Sequence, residues 1–116
     1  MVMIILSHLA NVLIVAAVVF GLRRGQPDVD EAFGTDTTAR RILGCIYATI
    51  GLVSLYALAQ IVAGNPQIAF FVGATLFPVQ IIYKLFTVFV VGPTSPVVIA
   101  NLMVAALHSA TLLIAY

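Results

Sequence analysis

The chain has 116 residues, of which 63% are apolar and only 8% are charged, with a formal net charge of +1 at pH 7. A soluble domain of this size needs polar side chains over most of its surface and is typically about 25% charged. The composition therefore excludes a soluble fold and indicates that lipid surrounds most of the molecule. The near-zero net charge also argues against nucleic acid as a partner.

The first predicted element is a membrane-spanning helix over residues 3–22, a stretch without any charged residue. Its length matches the roughly 30 Å hydrocarbon core of a bilayer. A cleavable signal peptide would carry basic residues ahead of its apolar core, whereas here Arg23 and Arg24 follow it. We therefore expect an uncleaved signal anchor.

Residues 23–41 form a hydrophilic loop that contains eight of the nine charged residues. Pro27 and Asp28, with Glu31 three residues on, predict one or two helical turns capped by Asp28, and Gly34 is a suitable stop. Asp36 or Thr35 is expected to cap the next helix. The acidic residues of this loop do not follow the spacing of a calcium-binding loop, so no metal is expected there.

Three further apolar stretches predict membrane-spanning helices over residues 42–63, 68–91 and 97–116. The turns between them, at residues 64–66 and 92–96, are rich in glycine and proline and are very short. Short connections join antiparallel neighbours. The predicted fold is all-α, a single domain over residues 1–116 that forms an integral membrane four-helix bundle with up-down-up-down topology.

Orientation follows from the basic residues, which are concentrated on the cytoplasmic side of membrane proteins. Four of the five basic residues lie in the loop at 23–41, and Lys84 lies toward the same side. We expect a cytoplasmic first loop with both termini outside, in a multi-pass protein of a bacterial inner membrane. Cys45, the single cysteine, is expected to be a buried small apolar residue, since it has no partner for a disulfide.

Polar residues inside the spans are the most informative, because each must find a partner within the bilayer. His8 and Asn11 share one face of the first helix, and Asn101 and His108 share a face of the last. Hydrogen bonds between these helices are the expected role. Two alternatives remain open: haem ligation by His8 and His108, or binding of a chlorophyll-type pigment by one of them. No other cofactor and no metal are expected.

Lys84 is the one charged residue well inside a predicted span, and Gln80 and Thr87 lie on the same face. Pro78 leaves the carbonyl of Ala74 without its helical partner. One interpretation is that Lys84 extends along the helix toward the lipid headgroups. The other is a polar site for an anionic headgroup, a quinone or a partner subunit, lined by Gln80, Lys84 and Thr87 beside the proline kink.

Catalysis is not expected. The spans contain no carboxylate, which argues against a proton-coupled antiporter of the small four-helix multidrug type. The chain also lacks a phosphate-binding glycine loop, a zinc motif and a nucleophile elbow.

The segment from Phe33-Gly34 through Arg41-Ile42-Leu43-Gly44 to Gly51-Leu52 resembles the small DoxX-like and DUF4345-type membrane proteins. In those proteins an "FG" precedes the second helix and an "R-x-x-G" opens it. The resemblance implies a four-helix inner-membrane protein, with some relatives tied to quinol-oxidising complexes, and no catalytic residue carries over.

Two functional hypotheses follow. The first is a non-catalytic accessory subunit that packs against a larger respiratory or photosynthetic membrane complex, with membrane lipids and other subunits as its partners. Small residues four apart, such as Gly44 and Ala48, would allow close helix contacts in such a complex. The alternative is a small carrier or binder of a lipid, quinone, haem or pigment. Its candidate ligand- or partner-binding residues are Lys84, Gln80, Asn101, His8, Asn11 and His108.

Overall fold

The computed structural model describes all 116 residues and contains five α-helices and no β-strand. The helices are α1 (Val2–Arg24), α2 (Pro27–Phe33), α3 (Thr38–Val62), α4 (Pro66–Val90) and α5 (Pro96–Ala115). All except α2 are long and apolar enough to cross a membrane. The all-α fold and the four long apolar helices predicted from the sequence are confirmed.

The helix ends differ from the predicted ones where the chain becomes polar. α1 continues through both arginines to Arg24, and α3 begins at Thr38 rather than at residue 42. The prediction that Asp36 or Thr35 caps α3 is wrong, because the Thr37 hydroxyl accepts the hydrogen bond from the Arg40 backbone amide at 3.2 Å. Hydropathy marks only the apolar part of each helix, and these helices extend beyond that part.

The short helix α2 is confirmed, but its predicted cap is not. Gln26, rather than Asp28, occupies the N-cap position and makes no capping hydrogen bond through its side chain. Before it, α1 ends at Gly25, whose φ of 60° lies in the left-handed region. That conformation favours glycine and lets the chain turn directly into α2.

The four long helices pack in a ring in which α1 contacts α3, α3 contacts α4, α4 contacts α5, and α5 contacts α1. α1 and α3 approach each other closely at Gly51, where an added Cβ would lie 2.9 Å from a methyl carbon of Val15. A small residue is required at this crossing.

The interior of the bundle is unusually polar. Ten of its 22 buried residues are polar or charged, and its two buried apolar clusters are small. Large apolar side chains, by contrast, cover the outside, for example Leu13, Phe71 and Phe89. A polar inside and an apolar outside are typical of a bundle surrounded by lipid, and together with the four long helices they indicate a membrane protein.

The expectation that Cys45 is buried is wrong, because the side chain is exposed on the surface of α3. Tyr47, two residues further along, faces inward instead. A cysteine is apolar enough to lie on the lipid-facing side of a membrane helix. The residue type alone therefore does not determine whether a cysteine faces the lipid or the interior of the bundle.

Candidate functional site

A buried hydrogen-bond network joins all four long helices around the two histidines. The network, here called the histidine network, is formed by Ser7, His8 and Asn11 of α1, Ser54 of α3, and His108 and Thr111 of α5. None of these six residues is more than 2% exposed. Each therefore depends on the others for hydrogen-bond partners.

One half of the histidine network surrounds His8. Its Nε2 lies 3.2 Å from the backbone oxygen of Ala69 on α4. Because a carbonyl can only accept, this nitrogen carries the proton and donates. Its Nδ1 is then an acceptor for the Ser54 hydroxyl at 3.3 Å. A neutral imidazole satisfies both contacts.

The other half surrounds His108. Asn11 connects the halves, since its amide nitrogen donates to Ser54 at 3.0 Å and its carbonyl oxygen accepts from His108 Nε2 at 3.1 Å. The Nδ1 of His108 accepts from the Ser7 hydroxyl at 3.1 Å, and the Ser7 oxygen lies 2.8 Å from that of Thr111. The Thr111 hydroxyl also lies 2.9 Å from the Leu107 backbone oxygen. When its proton is on the Ser7 side instead, all the donors of the network point in one direction, from Thr111 to the Ala69 carbonyl.

The ring of Phe77 lies against both imidazoles. It stacks on His108 with ring centroids 4.5 Å apart and is tilted against His8 at 4.8 Å. Phe77 is itself fully buried. Since all four imidazole nitrogens have hydrogen-bond partners, an iron or magnesium ion could be ligated here only after a protein contact was broken.

A second polar group, here called the lysine cluster, is formed by Lys84 and Thr87 of α4 and Asn101 of α5. Lys84 Nζ donates to the side-chain oxygen of Asn101 at 2.9 Å. The Asn101 amide nitrogen lies 3.3 Å from the Thr87 hydroxyl, which donates to the Lys84 backbone oxygen at 2.6 Å. Lys84 is 3% exposed, so its side chain turns into the bundle and does not extend along the helix toward the headgroups.

The lysine cluster contains more donors than acceptors. Lys84 Nζ has three N–H groups and only the Asn101 oxygen to accept from them. One turn away, the amide nitrogen of Gln80 is buried without a partner. The Tyr83 hydroxyl does not add to this excess, because it has the Tyr47 hydroxyl as a neighbour. No carboxylate forms an ion pair with Lys84. Buried polar atoms are nearly always paired, so this region lacks an acceptor.

A cavity of about 220 Å³ lies next to Lys84 and Asn101. It is open on one side, and most of its wall is apolar, including Val18, Val97 and Val104, with the Tyr47 side chain also at its wall. Pockets for whole drug-sized ligands are about 300–1,000 Å³. This cavity is therefore large enough for the head of an amphiphilic molecule whose tail extends out of the opening.

Arg40 holds the short helix α2 in place at the end of the bundle. Its guanidinium forms an ion pair with Asp30 and donates to the backbone oxygen of Gly34, and it also donates to Leu22 at 3.2 Å. The side chain is only 4% exposed. One arginine thus connects α1, α2 and α3.

Arg41, by contrast, is exposed and forms an ion pair with Asp36 at 2.7 Å. This hydrogen bond lowers the pKa of the Asp36 carboxyl. A carboxyl with a lowered pKa stabilises the fold above its ordinary pKa, and that contribution is lost as the pH falls through the lowered value. The pair is therefore intact at neutral pH, although in so exposed a position it contributes little.

Most of the predicted candidate residues belong either to the histidine network or to the lysine cluster. His8, Asn11 and His108 lie together in the histidine network, while Lys84 and Asn101 lie together in the lysine cluster. Gln80 shares the buried face of α4 with Lys84, but its side chain is bonded to neither group.

Four contributors were not among the predicted candidate residues: Ser7, Ser54, Tyr83 and Thr111. Ser54 is the central acceptor and donor of the histidine network, and the Tyr83 ring lies beside Lys84, with its centroid 4.9 Å from Nζ. Serine and tyrosine are common in membrane helices, so neither type marks a site by itself. Ser54 lies on the same side of α3 as Tyr47, Ile50 and Ala57, and that periodicity is the signal that could have placed it inside.

Comparison with known proteins gives no match: no family model, no curated protein and no solved structure is significantly similar to this chain. The resemblance to DoxX-like and DUF4345-type proteins therefore stays a prediction.

Proposed function

We propose that this protein is an integral membrane protein that binds a lipid-like molecule and that Lys84 holds the oxygen-rich head of that molecule. The observation that carries the proposal is the excess of buried donors on Lys84, which lines an apolar cavity, with the unpartnered amide nitrogen of Gln80 one turn away. Asn101 positions Lys84 in this proposal through the 2.9 Å hydrogen bond to its Nζ, and Gln80 offers a further donor one turn away. The four long helices cross the bilayer in alternating directions.

The chemistry of the lysine cluster defines the class of ligand. Unpaired donors require an acceptor, which a carboxylate or a quinone carbonyl provides. A carboxylate would also neutralise an ammonium group that has no counterion, and an unneutralised charge is costly inside a bilayer. The apolar walls suit the first part of a hydrocarbon or isoprenoid tail.

The direct test is binding of two probes, palmitate and decylubiquinone, to the full chain in nanodiscs of phosphatidylcholine. A charge-assisted hydrogen bond is worth about 1.5–3 kcal/mol, so Lys84→Met is expected to weaken the binding of palmitate at least about tenfold. Thr75→Val is the matched control, because Thr75 is an exposed polar residue of the same helix that bonds only to α4 itself. It should bind both probes like the unchanged protein.

A second variant, Asn101→Asp, keeps Lys84 in place and supplies the missing counterion from within. The new carboxylate would occupy the position of the Asn101 oxygen, 2.9 Å from Lys84 Nζ. The Thr87 hydroxyl would turn from the Lys84 backbone oxygen to donate to the other oxygen of the new carboxylate. We expect this variant to fold at least as well and to lose palmitate more completely than decylubiquinone, which carries no charge. Unchanged palmitate and decylubiquinone binding by folded Lys84→Met protein would refute the proposal.

The accessory-subunit role stays a second prediction, tested by mass spectrometry of whatever co-purifies with the chain in mild detergent.

For the orientation, we propose that the end carrying Arg23, Arg24, Arg40 and Arg41 faces the cytoplasm of a bacterial inner membrane. Lys84 does not add to that count, since it is buried between helices. Reporter fusions are expected to place both termini outside, and a cytoplasmic signal from either terminus would contradict this orientation.

A further inference from the structure

A second opening lies on the outside of the bundle, between α1 and α3 at the end where α2 is attached. This arginine groove has a volume of about 620 Å³ and includes Arg23, Arg40 and Arg41 in its wall. Three of the five basic residues of the chain thus line one depression. Asp36 is the one acidic residue that lines it.

The cations of the arginine groove are not all neutralised. Arg41 is paired with Asp36, and Arg40 with Asp30. Arg23 forms no ion pair, and the Nε of Arg40 is buried without an acceptor. The groove therefore has an unmatched positive charge and an unmatched donor, to which an anion is complementary.

The part of the groove further along the helices is apolar and shallow. On α3 its floor consists of the small residues Gly44, Cys45 and Ala48, and on α1 Val19 and Leu22 form the opposite wall. Small residues leave space along a helix surface, and here that space is continuous with the arginines. A hydrocarbon chain can lie in it while the attached head remains at the arginine end.

We infer that the arginine groove is a binding site for one anionic phospholipid, with the phosphate at Arg23, beside the unmatched Nε of Arg40, and an acyl chain along Gly44, Cys45 and Ala48. The site is separate from Lys84, which lines the other cavity. Its occupant is a structural lipid of the surrounding bilayer rather than the molecule proposed for Lys84. A juxtamembrane arginine contributes roughly 1 kcal/mol to binding of an anionic lipid, which corresponds to about fivefold in affinity.

The test is native mass spectrometry of the full chain in mixed micelles that contain phosphatidylglycerol or phosphatidylcholine as the probe. We expect one phosphatidylglycerol molecule to be retained in preference to phosphatidylcholine. Arg23→Gln is expected to weaken that retention about fivefold. Arg24→Gln is the matched control, because it removes the same charge from a neighbouring residue that lies over the Phe20 ring, 4.1 Å from its centroid, and does not line the groove.

A bulky variant tests the acyl-chain part without changing any charge. Cys45→Trp should fill the floor of the groove and reduce phosphatidylglycerol retention while all three arginines remain, and the exposed position should tolerate the larger side chain. Lys84→Met should retain the lipid normally, which separates this site from the proposed ligand site. Equal retention of both lipids, equal losses in Arg23→Gln and Arg24→Gln, or competition by soluble glycerol phosphate as strong as by the lipid would overturn the inference.

Discussion

Phe77→Ala is expected to destabilise the folded bundle by about 3 kcal/mol. Phe77 is completely buried, and its ring contacts both imidazoles of the histidine network. Removing a buried phenyl ring leaves a cavity and typically costs about 3–5 kcal/mol. We expect the lower end of that range, because the unfolded helices of a membrane protein remain in an apolar solvent and the transfer contribution is small.

This prediction can be measured by unfolding the chain in mixed micelles with increasing sodium dodecyl sulfate. Phe71→Ala is the control, since Phe71 belongs to the same helix and is 74% exposed. It removes the same atoms from the lipid-facing surface and should change the free energy of unfolding by less than about 0.5 kcal/mol. Equal effects of the two variants would show that Phe77 does not form the packed centre of the bundle.

His108→Ala is the second large effect, with an expected loss of about 2 kcal/mol. The variant loses the hydrogen bonds to Ser7 and Asn11 and the stacking on Phe77. Hydrogen bonds between membrane helices average about 0.6 kcal/mol, and an aromatic pair adds about 0.5–1.5 kcal/mol. The two partners left behind are fully buried, which adds to the cost.

A double-mutant cycle with Asn11→Ala isolates the central hydrogen bond of the network. We expect a coupling energy between Asn11 and His108 of about 0.6 kcal/mol and at most about 1.7 kcal/mol. Leu113→Ala, an 86% exposed position on the same helix, is the control and should show no coupling to Asn11. Additive effects of Asn11→Ala and His108→Ala would mean that the two side chains do not interact in the folded protein.

The coarse fold could be predicted because it follows from a strong and simple signal. Four long stretches without carboxylates, separated by glycine and proline, leave little choice but four long helices. The helix ends were less predictable, since α1 and α3 continue into charged sequence where hydropathy gives no information. The N-terminal cap of α3 depends on which of several adjacent polar residues adopts an extended backbone, and Thr37 does.

The polar groups were predictable only in part. Asn11 and His108 could be singled out because amides and imidazoles are costly in lipid, and the structure pairs them. Ser54 could not be singled out, because a serine can satisfy its hydroxyl within its own helix. The direction of Lys84 was equally undetermined, since a flexible side chain reaches either the headgroups or a neighbouring helix. The direction that the Lys84 side chain takes depends on the position of Asn101, and the packing of α4 on α5 determines that position.

The long sequence separation within the histidine network has a consequence for synthesis of the protein. Ser7 and Asn11 of α1 are made early, but His108 and Thr111 follow about 100 residues later. At a synthesis rate of 5–20 residues per second, about 5–20 seconds pass between the synthesis of these α1 residues and that of their partners in α5. Ser54 is made after about half of that interval and gives Asn11 its first partner. We therefore expect α1 and α3 to pair first during biogenesis and α5 to enter last and close the ring.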